Sequence, residues 1–136
     1  MRLDHIAIAV PDLEEALKVY RDALGLALTH SEEVAAQKVR VAFLRGSSGD
    51  GTCVELLAPT SPDGAVAKFL GSKGPGLHHL ALRVDDIEAS MQRLRAMGKA
   101  PMEERPRAGA KGHKVCFLHP KHAGGVLIEL VEHGEE

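Results

Sequence analysis

Two histidines and two glutamates carry the chemistry of this sequence. His5 recurs 74 positions later as His79, and Glu55 recurs at the same interval as Glu129. Glu55 stands between Val54 and Leu56, and Glu129 between Ile128 and Leu130; a carboxylate buried among such neighbours requires a partner or a metal ion. Two neutral imidazoles and two carboxylates make a mixed nitrogen and oxygen shell that suits a divalent first-row ion and leaves two adjacent coordination positions open. Those positions suit two oxygens of one substrate. A lone strand histidine is more often a surface residue, and a strand glutamate usually faces water. Four ligand-type residues at matching places of a repeat are a different case.

The repeat extends beyond those four. Arg2-Leu3-Asp4-His5-Ile6-Ala7-Ile8-Ala9-Val10-Pro11-Asp12-Leu13 corresponds to Gly76-Leu77-His78-His79-Leu80-Ala81-Leu82-Arg83-Val84-Asp85-Asp86-Ile87, and Val41-Ala42-Phe43-Leu44 to Val115-Cys116-Phe117-Leu118. The period marks a duplicated unit of roughly 65 to 70 residues. Each copy supplies one His and one Glu.

The elements that must position them follow from local pattern. Residues Leu3 to Val10 alternate as a strand, with Leu3, His5, Ala7 and Ala9 on one face and Asp4, Ile6, Ile8 and Val10 on the other. The bulky face should pack on a helix, and the His5 face carries only small neighbours. Asp12 reads as the N-cap of a helix over Leu13–Leu24 that ends at Gly25, with Ala16, Leu17, Tyr20 and Leu24 as its apolar stripe. Strands follow at Leu26–His30, Lys38–Leu44 and Cys53–Leu57, the last after a turn over Arg45–Gly51. Ala65–Leu70 reads as a short linker helix.

The second copy repeats the order: strand Leu77–Val84, helix Ile87–Met97 ending at Gly98, a weak strand Met102–Arg105, strand His113–Leu118 and strand Val126–Val131. His79, Ala81 and Arg83 share the face equivalent to that of His5, and His78 lies on the other. His30, His78, His113, His119, His122 and His133 have no duplicate partners and read as surface, loop or supporting residues. The tail from His133 to Glu136 should fray. The expected fold class is α+β, two β-α-β-β-β modules forming an open curved sheet cup. Module one covers about residues 1–60, a linker about 61–75 and module two about 76–133, within a single domain 1–136.

Composition narrows the partners. A chain of 136 residues with 44% hydrophobic content is long enough to bury a core. A net charge of −2 without long runs of one sign argues against non-specific nucleic-acid binding and a membrane-surface role. The aromatics are only Phe43, Phe69, Phe117 and Tyr20, so base-stacking platforms are missing. Cys53 and Cys116 lack CxxC spacing and read as core or pocket-lining residues. With no apolar run of about 18 residues and no targeting segment, the expectation is a soluble cytoplasmic protein.

The residues resemble the vicinal-oxygen-chelate superfamily over nearly the whole chain. Within it, Gly76-Leu77-His78-His79-Leu80-Ala81, Phe117-Leu118-His119-Pro120-Lys121 and Gly125-Val126-Leu127-Ile128-Glu129-Leu130 look like the methylmalonyl-CoA epimerase family. The linker Ala58-Pro59 with Val66-Ala67-Lys68-Phe69-Leu70 is similar to that family too.

By this resemblance His5, His79 and Glu129 are metal ligands, with Glu55 at the fourth position; the ion would be cobalt, manganese, nickel or zinc. Some epimerases carry Gln where Glu55 stands, and Glu55 also matches bacterial glyoxalase I. Some carry a further acid/base carboxylate where this chain has Val41.

The implied reaction is epimerisation of methylmalonyl-CoA through an enolate, with Glu129 and then Glu55 as candidates to handle the proton. Inversion requires a proton carrier on each face of the enolate. The resemblance also implies an acyl-CoA partner and a homodimer. Arg105, Arg107, Lys111, Lys114 and Lys121 are candidates for contacting the CoA phosphates. The alternatives are a glyoxalase I-type lactoylglutathione lyase and a non-catalytic small-molecule-binding module of the same fold; an extradiol dioxygenase would leave Glu55 surplus.

Overall fold

A computed structural model describes residues 1–46 and 51–134. The chain divides into two compact units, one of His5–His78 and the other of Met1–Asp4 with His79–Glu136. Each has the β-α-β-β-β order expected from the repeat, and no helix among the described residues is long and apolar enough to cross a membrane.

The first unit contains β1 (Arg2–Ala9) from His5 on, β2 (Ala27–Val34), β3 (Val39–Arg45) and β4 (Cys53–Pro59), hydrogen-bonded in the order β2-β3-β4-β1. β1 runs parallel to β4, which the intervening helical crossover makes possible, and β4-β3 and β3-β2 are antiparallel. One sheet face carries Ile8, Ala42, Leu44, Leu56 and Ala58, which pack with Leu13 and Leu17 of helix α1 (Leu13–Leu17). Burying such side chains stabilises the unit by about 1.5–3 kcal/mol per large residue. The other face carries His5, Ala7, Val41, Phe43 and Glu55.

Helix α1 starts where expected. The Asp12 carboxylate accepts a hydrogen bond from the Glu15 N–H at 3.2 Å, satisfying an otherwise unpaired donor of the first turn. It then widens into a π-helical stretch, Lys18–Ala23, closed by Leu24 N–H to the Val19 carbonyl at 2.8 Å and by Gly25 at φ 82°. The wider turns change the phase of the stripe: Ala16 and Tyr20 reach the core, but Leu24 is 64% exposed rather than packed. Helix α2 (Ala65–Lys73) is one turn longer than its apolar pattern suggests.

The second unit repeats the plan with β5 (Gly76–Arg83), β6 (Arg107–Ala108), β7 (Lys114–Leu118) and β8 (Ile128–Glu132) in the order β5-β8-β7-β6. β5 is parallel to β8, and β7 is antiparallel to both of its neighbours. Helix α3 (Ile87–Ala96) is capped by Asp86, the repeat counterpart of Asp12, through the Ala89 N–H at 3.1 Å. Ile87 and Met91 pack with Cys116 and Leu130 on the helix side. Both cysteines are free and buried, and burial, with the charges of Glu103 and Glu129, pushes the Cys116 thiol up to about 12.

Three expectations need correction or restriction. The strand expected at Met102–Arg105 does not form. There the Met102 N–H reaches the Phe117 carbonyl at 2.8 Å, but the Phe117 N–H donates to the Glu103 carboxylate at 2.8 Å. A side chain stands where a strand carbonyl would, and the ladder begins only at Arg107. The tail is held rather than frayed at His133 and Gly134: His133 bonds Asp4 at 2.7 Å and stacks on His113 at 4.1 Å, and the Gly134 N–H donates to His113 Nδ1 at 2.9 Å. Glu135 and Glu136, and Ser47–Asp50 of the turn expected over Arg45–Gly51, lie outside the described residues.

The histidine stack gives the second unit a pH dependence. Burial, then the charges of His133 and Lys111, hold His113 below the ordinary imidazole value of 6.5, against the opposing pull of Asp4. The unfolded chain therefore binds a proton that the folded His113 resists. That contribution to stability is present above pH 6.5 and lost as the pH falls through the lower folded value. Urea denaturation of His113→Gln should show a shallower loss of stability between pH 7 and pH 5, by at most the slope that one proton carries.

Candidate metal centre

His5, Glu55, His79 and Glu129 are the only polar or charged side chains among the buried described residues, between 5% and 7% exposed. In the first unit His5 Nε2 lies 3.1 Å from Glu55 Oε1. In the second, His79 Nε2 lies 3.2 Å from Glu129 Oε1. The sheet register explains both pairs. Glu55 sits opposite Ala7 on the parallel neighbour strand, and Glu129 sits opposite Ala81, so each carboxylate shares a face with the histidine two residues earlier.

An aromatic ring completes each half. Phe43 is the antiparallel partner of Glu55, and Phe117 of Glu129. Each meets its histidine edge to face, with centroids 5.6 Å apart and planes at 89° for His5–Phe43 and 90° for His79–Phe117. The rings limit imidazole rotation and exclude water from one side. The same three residue types, register and ring geometry thus occur twice, 74 positions apart.

Burying an ionised carboxylate costs several kcal/mol unless it is paired or coordinated. A sheet needing only apolar packing would not place Glu at both positions. The donor set of imidazole nitrogens and carboxylate oxygens, buried and clustered pairwise, fits a divalent ion.

Outside the repeat the halves diverge. The Arg107 guanidinium lies 5.4 Å from the Phe117 ring centre and pairs with Glu103 at 3.2 Å. Near Phe43 the corresponding place is taken by His30, with ring centres 6.1 Å apart and Nε2 2.8 Å from Glu32. Two more of the unduplicated histidines have local roles. His78 packs against Phe69 at 4.8 Å on the face opposite His79, and His119 Nδ1 accepts the Lys121 N–H, closing the His-Pro-Lys turn.

Of the basic residues, Arg105, Arg107 and Lys114 line an open cavity of about 300 Å³ with His113 and Glu88. Lys114 also lies 3.8 Å from Glu132, so two of the three cations are shared with carboxylates. The His30–Glu32 pair escaped the sequence reading because its orientation depends on a strand irregularity that alternation cannot show.

Residues 4–117 match the Glyoxalase/Bleomycin resistance protein/Dioxygenase superfamily. The human mitochondrial methylmalonyl-CoA epimerase is 40% identical over 95% of this chain and 72% of its own length. The chain belongs to this superfamily, among the methylmalonyl-CoA epimerases.

The crystal structure of methylmalonyl-CoA epimerase from Mycobacterium tuberculosis matches with a TM-score of 0.93 and 43% identity, covering 98% of this chain and 89% of that one. A Streptomyces coelicolor methylmalonyl-CoA epimerase variant in complex with 2-nitronate-propionyl-CoA matches with a TM-score of 0.92 and 38% identity over 99% of both chains. The α+β fold of repeated modules is therefore the fold of these epimerases.

The paired phenylalanines should matter equally. Edge-to-face contacts contribute about 1 kcal/mol each, so Phe43→Leu and Phe117→Leu should each weaken metal binding by roughly fivefold. Competition against a metallochromic chelator measures this, and a difference beyond about tenfold between the variants would contradict equivalent roles.

Proposed function

We propose that this chain is a metal-dependent methylmalonyl-CoA epimerase whose two modules form one domain, with His5, Glu55, His79 and Glu129 holding one divalent ion. The observation that carries this reading is the duplicated, buried His–Glu–Phe arrangement in a chain similar to methylmalonyl-CoA epimerases along nearly its whole length. His5, His79 and Glu129, each able to offer one ligand atom, support the shared ion, and cobalt, manganese, nickel or zinc suits that donor set. We also infer a homodimer in the cytoplasm. The exposed outer strand β6 and two cysteines that remain free support those readings.

The substrate's α-proton lies between a thioester carbonyl and a carboxylate, so its loss places a new negative charge on the thioester oxygen, beside the charge that the carboxylate already carries. A divalent ion in this site would supply Lewis-acid stabilisation of that charge. The chain's residues do the rest. His5 and His79 are oriented by Phe43 and Phe117. Glu129 is the first candidate to hold or move the α-proton, and Glu55 the second. Arg105, Arg107 and Lys114, around their cavity, and Lys111 and Lys121 are candidates for the CoA phosphates.

Metal-loaded protein should convert one methylmalonyl-CoA epimer into the other and leave the glutathione hemithioacetal of methylglyoxal unchanged. Turnover of the hemithioacetal alone would overturn the assignment. Glu129→Gln should lose about 10²- to 10⁴-fold in rate and Glu55→Gln less, with metal content measured for both. If both variants keep their metal and Glu129→Gln exchanges the α-proton at the parent rate, Glu129 is a ligand only.

A further inference from the structure

We propose that Glu32, backed by His30, is a proton carrier of the epimerisation. This rests on the reading of the chain as an epimerase. β2 contains a bulge between Leu28 and His30. Leu28 pairs with Leu44, on the helix-packed face, whereas His30 pairs with Phe43 and Glu32 with Val41, on the face of Glu55 and His5. Strict alternation would keep Leu28, His30 and Glu32 on one face. The extra residue, Thr29, turns His30 and Glu32 over, and its hydroxyl donates to the Phe43 carbonyl at 3.2 Å. Bulges commonly re-aim side chains in this way beside active sites.

The register then sets two rows across the sheet. His30, Phe43, Glu55 and Ala7 form one; Glu32, Val41, Leu57 and Ala9 form the next. Glu32 is two strands and one row from Glu55, a backbone separation of about 12 Å, which leaves room for a small acyl group between the two carboxylates.

The exposures divide the labour. Glu55 is 5% exposed and close to His5, a setting for a fixed ligand. The Glu32 and His30 side chains are 32% and 36% exposed and lie 2.8 Å apart. A group that removes a proton on one face must lose it before the next turnover, and the partly exposed Glu32 carboxylate has a route to water. His30 supplies that route.

The step balances without a redox partner. The Glu32 carboxylate takes the α-hydrogen as a proton, and the C–H electron pair moves into the thioester carbonyl to give the enolate. Glu129, in the reading above, returns a proton to the opposite face as the electron pair re-forms the C–H bond. Glu32 then passes its proton through His30 to solvent and Glu129 takes one proton back from solvent, which resets both groups; the opposite epimer runs the sequence in reverse.

Parent and Glu32→Gln proteins, with metal content measured, should be incubated with each methylmalonyl-CoA epimer separately in deuterated water, following α-proton exchange and inversion. Glu32→Gln should keep its metal, exchange the α-proton of one epimer within about tenfold of the parent rate, and lose inversion by about 10²-fold or more. Glu32→Asp should recover part of the inversion. Inversion in Glu32→Gln within about threefold of parent would overturn the proposal, as would exchange and inversion falling by the same factor for both epimers. A parent protein inert to both epimers would instead overturn the epimerase reading, and Glu32's role with it.

Discussion

Everything else in this protein is arranged around the burial of a carboxylate beside an imidazole. Such a pair is costly in an apolar sheet unless geometry compensates for lost hydration, and the chain meets that cost twice with the same device. A parallel strand neighbour fixes the Glu two residues out of register from the His, and a phenylalanine on the next strand meets the ring at a right angle. The helix-packed face of each sheet, with its Leu, Ile and Met residues, holds the strands to this register. A one-residue slip would send the carboxylate into that apolar layer.

The repeat also shows which features were kept and which diverged. Asp12 and Asp86 cap the equivalent helices through equivalent N–H groups, and Phe43 and Phe117 hold equivalent rings. Around those rings the copies part. One offers an imidazole–carboxylate pair, His30 with Glu32, and the other a guanidinium, Arg107 tied to Glu103.

The four ligand candidates and the module order were legible in the sequence because duplication doubles a weak signal: each strand His or Glu alone is ordinary, but the 74-residue interval is not. Alternation correctly separated His79 from His78, since β5 is regular. It failed where the backbone departs from a fixed period. The π-helical stretch moved Leu24 to the surface, Glu103 replaced a ladder carbonyl and removed a strand, and the bulge at Thr29 turned His30 and Glu32 toward the Glu55 face. The His113–His133 stack with Asp4 was hidden for another reason, because its members are up to 129 positions apart and no local pattern links them.

The central claim is that two duplicated His–Glu pairs serve one ion. Metal analysis of the loaded protein, combined with anomalous scattering at the metal edge in a crystal, tests it most directly. The account predicts one ion per chain, with His5, Glu55, His79 and Glu129 all at coordination distances of about 2.0–2.2 Å. Two ions per chain, each on its own His–Glu pair, or a single ion bound away from these residues, would contradict it.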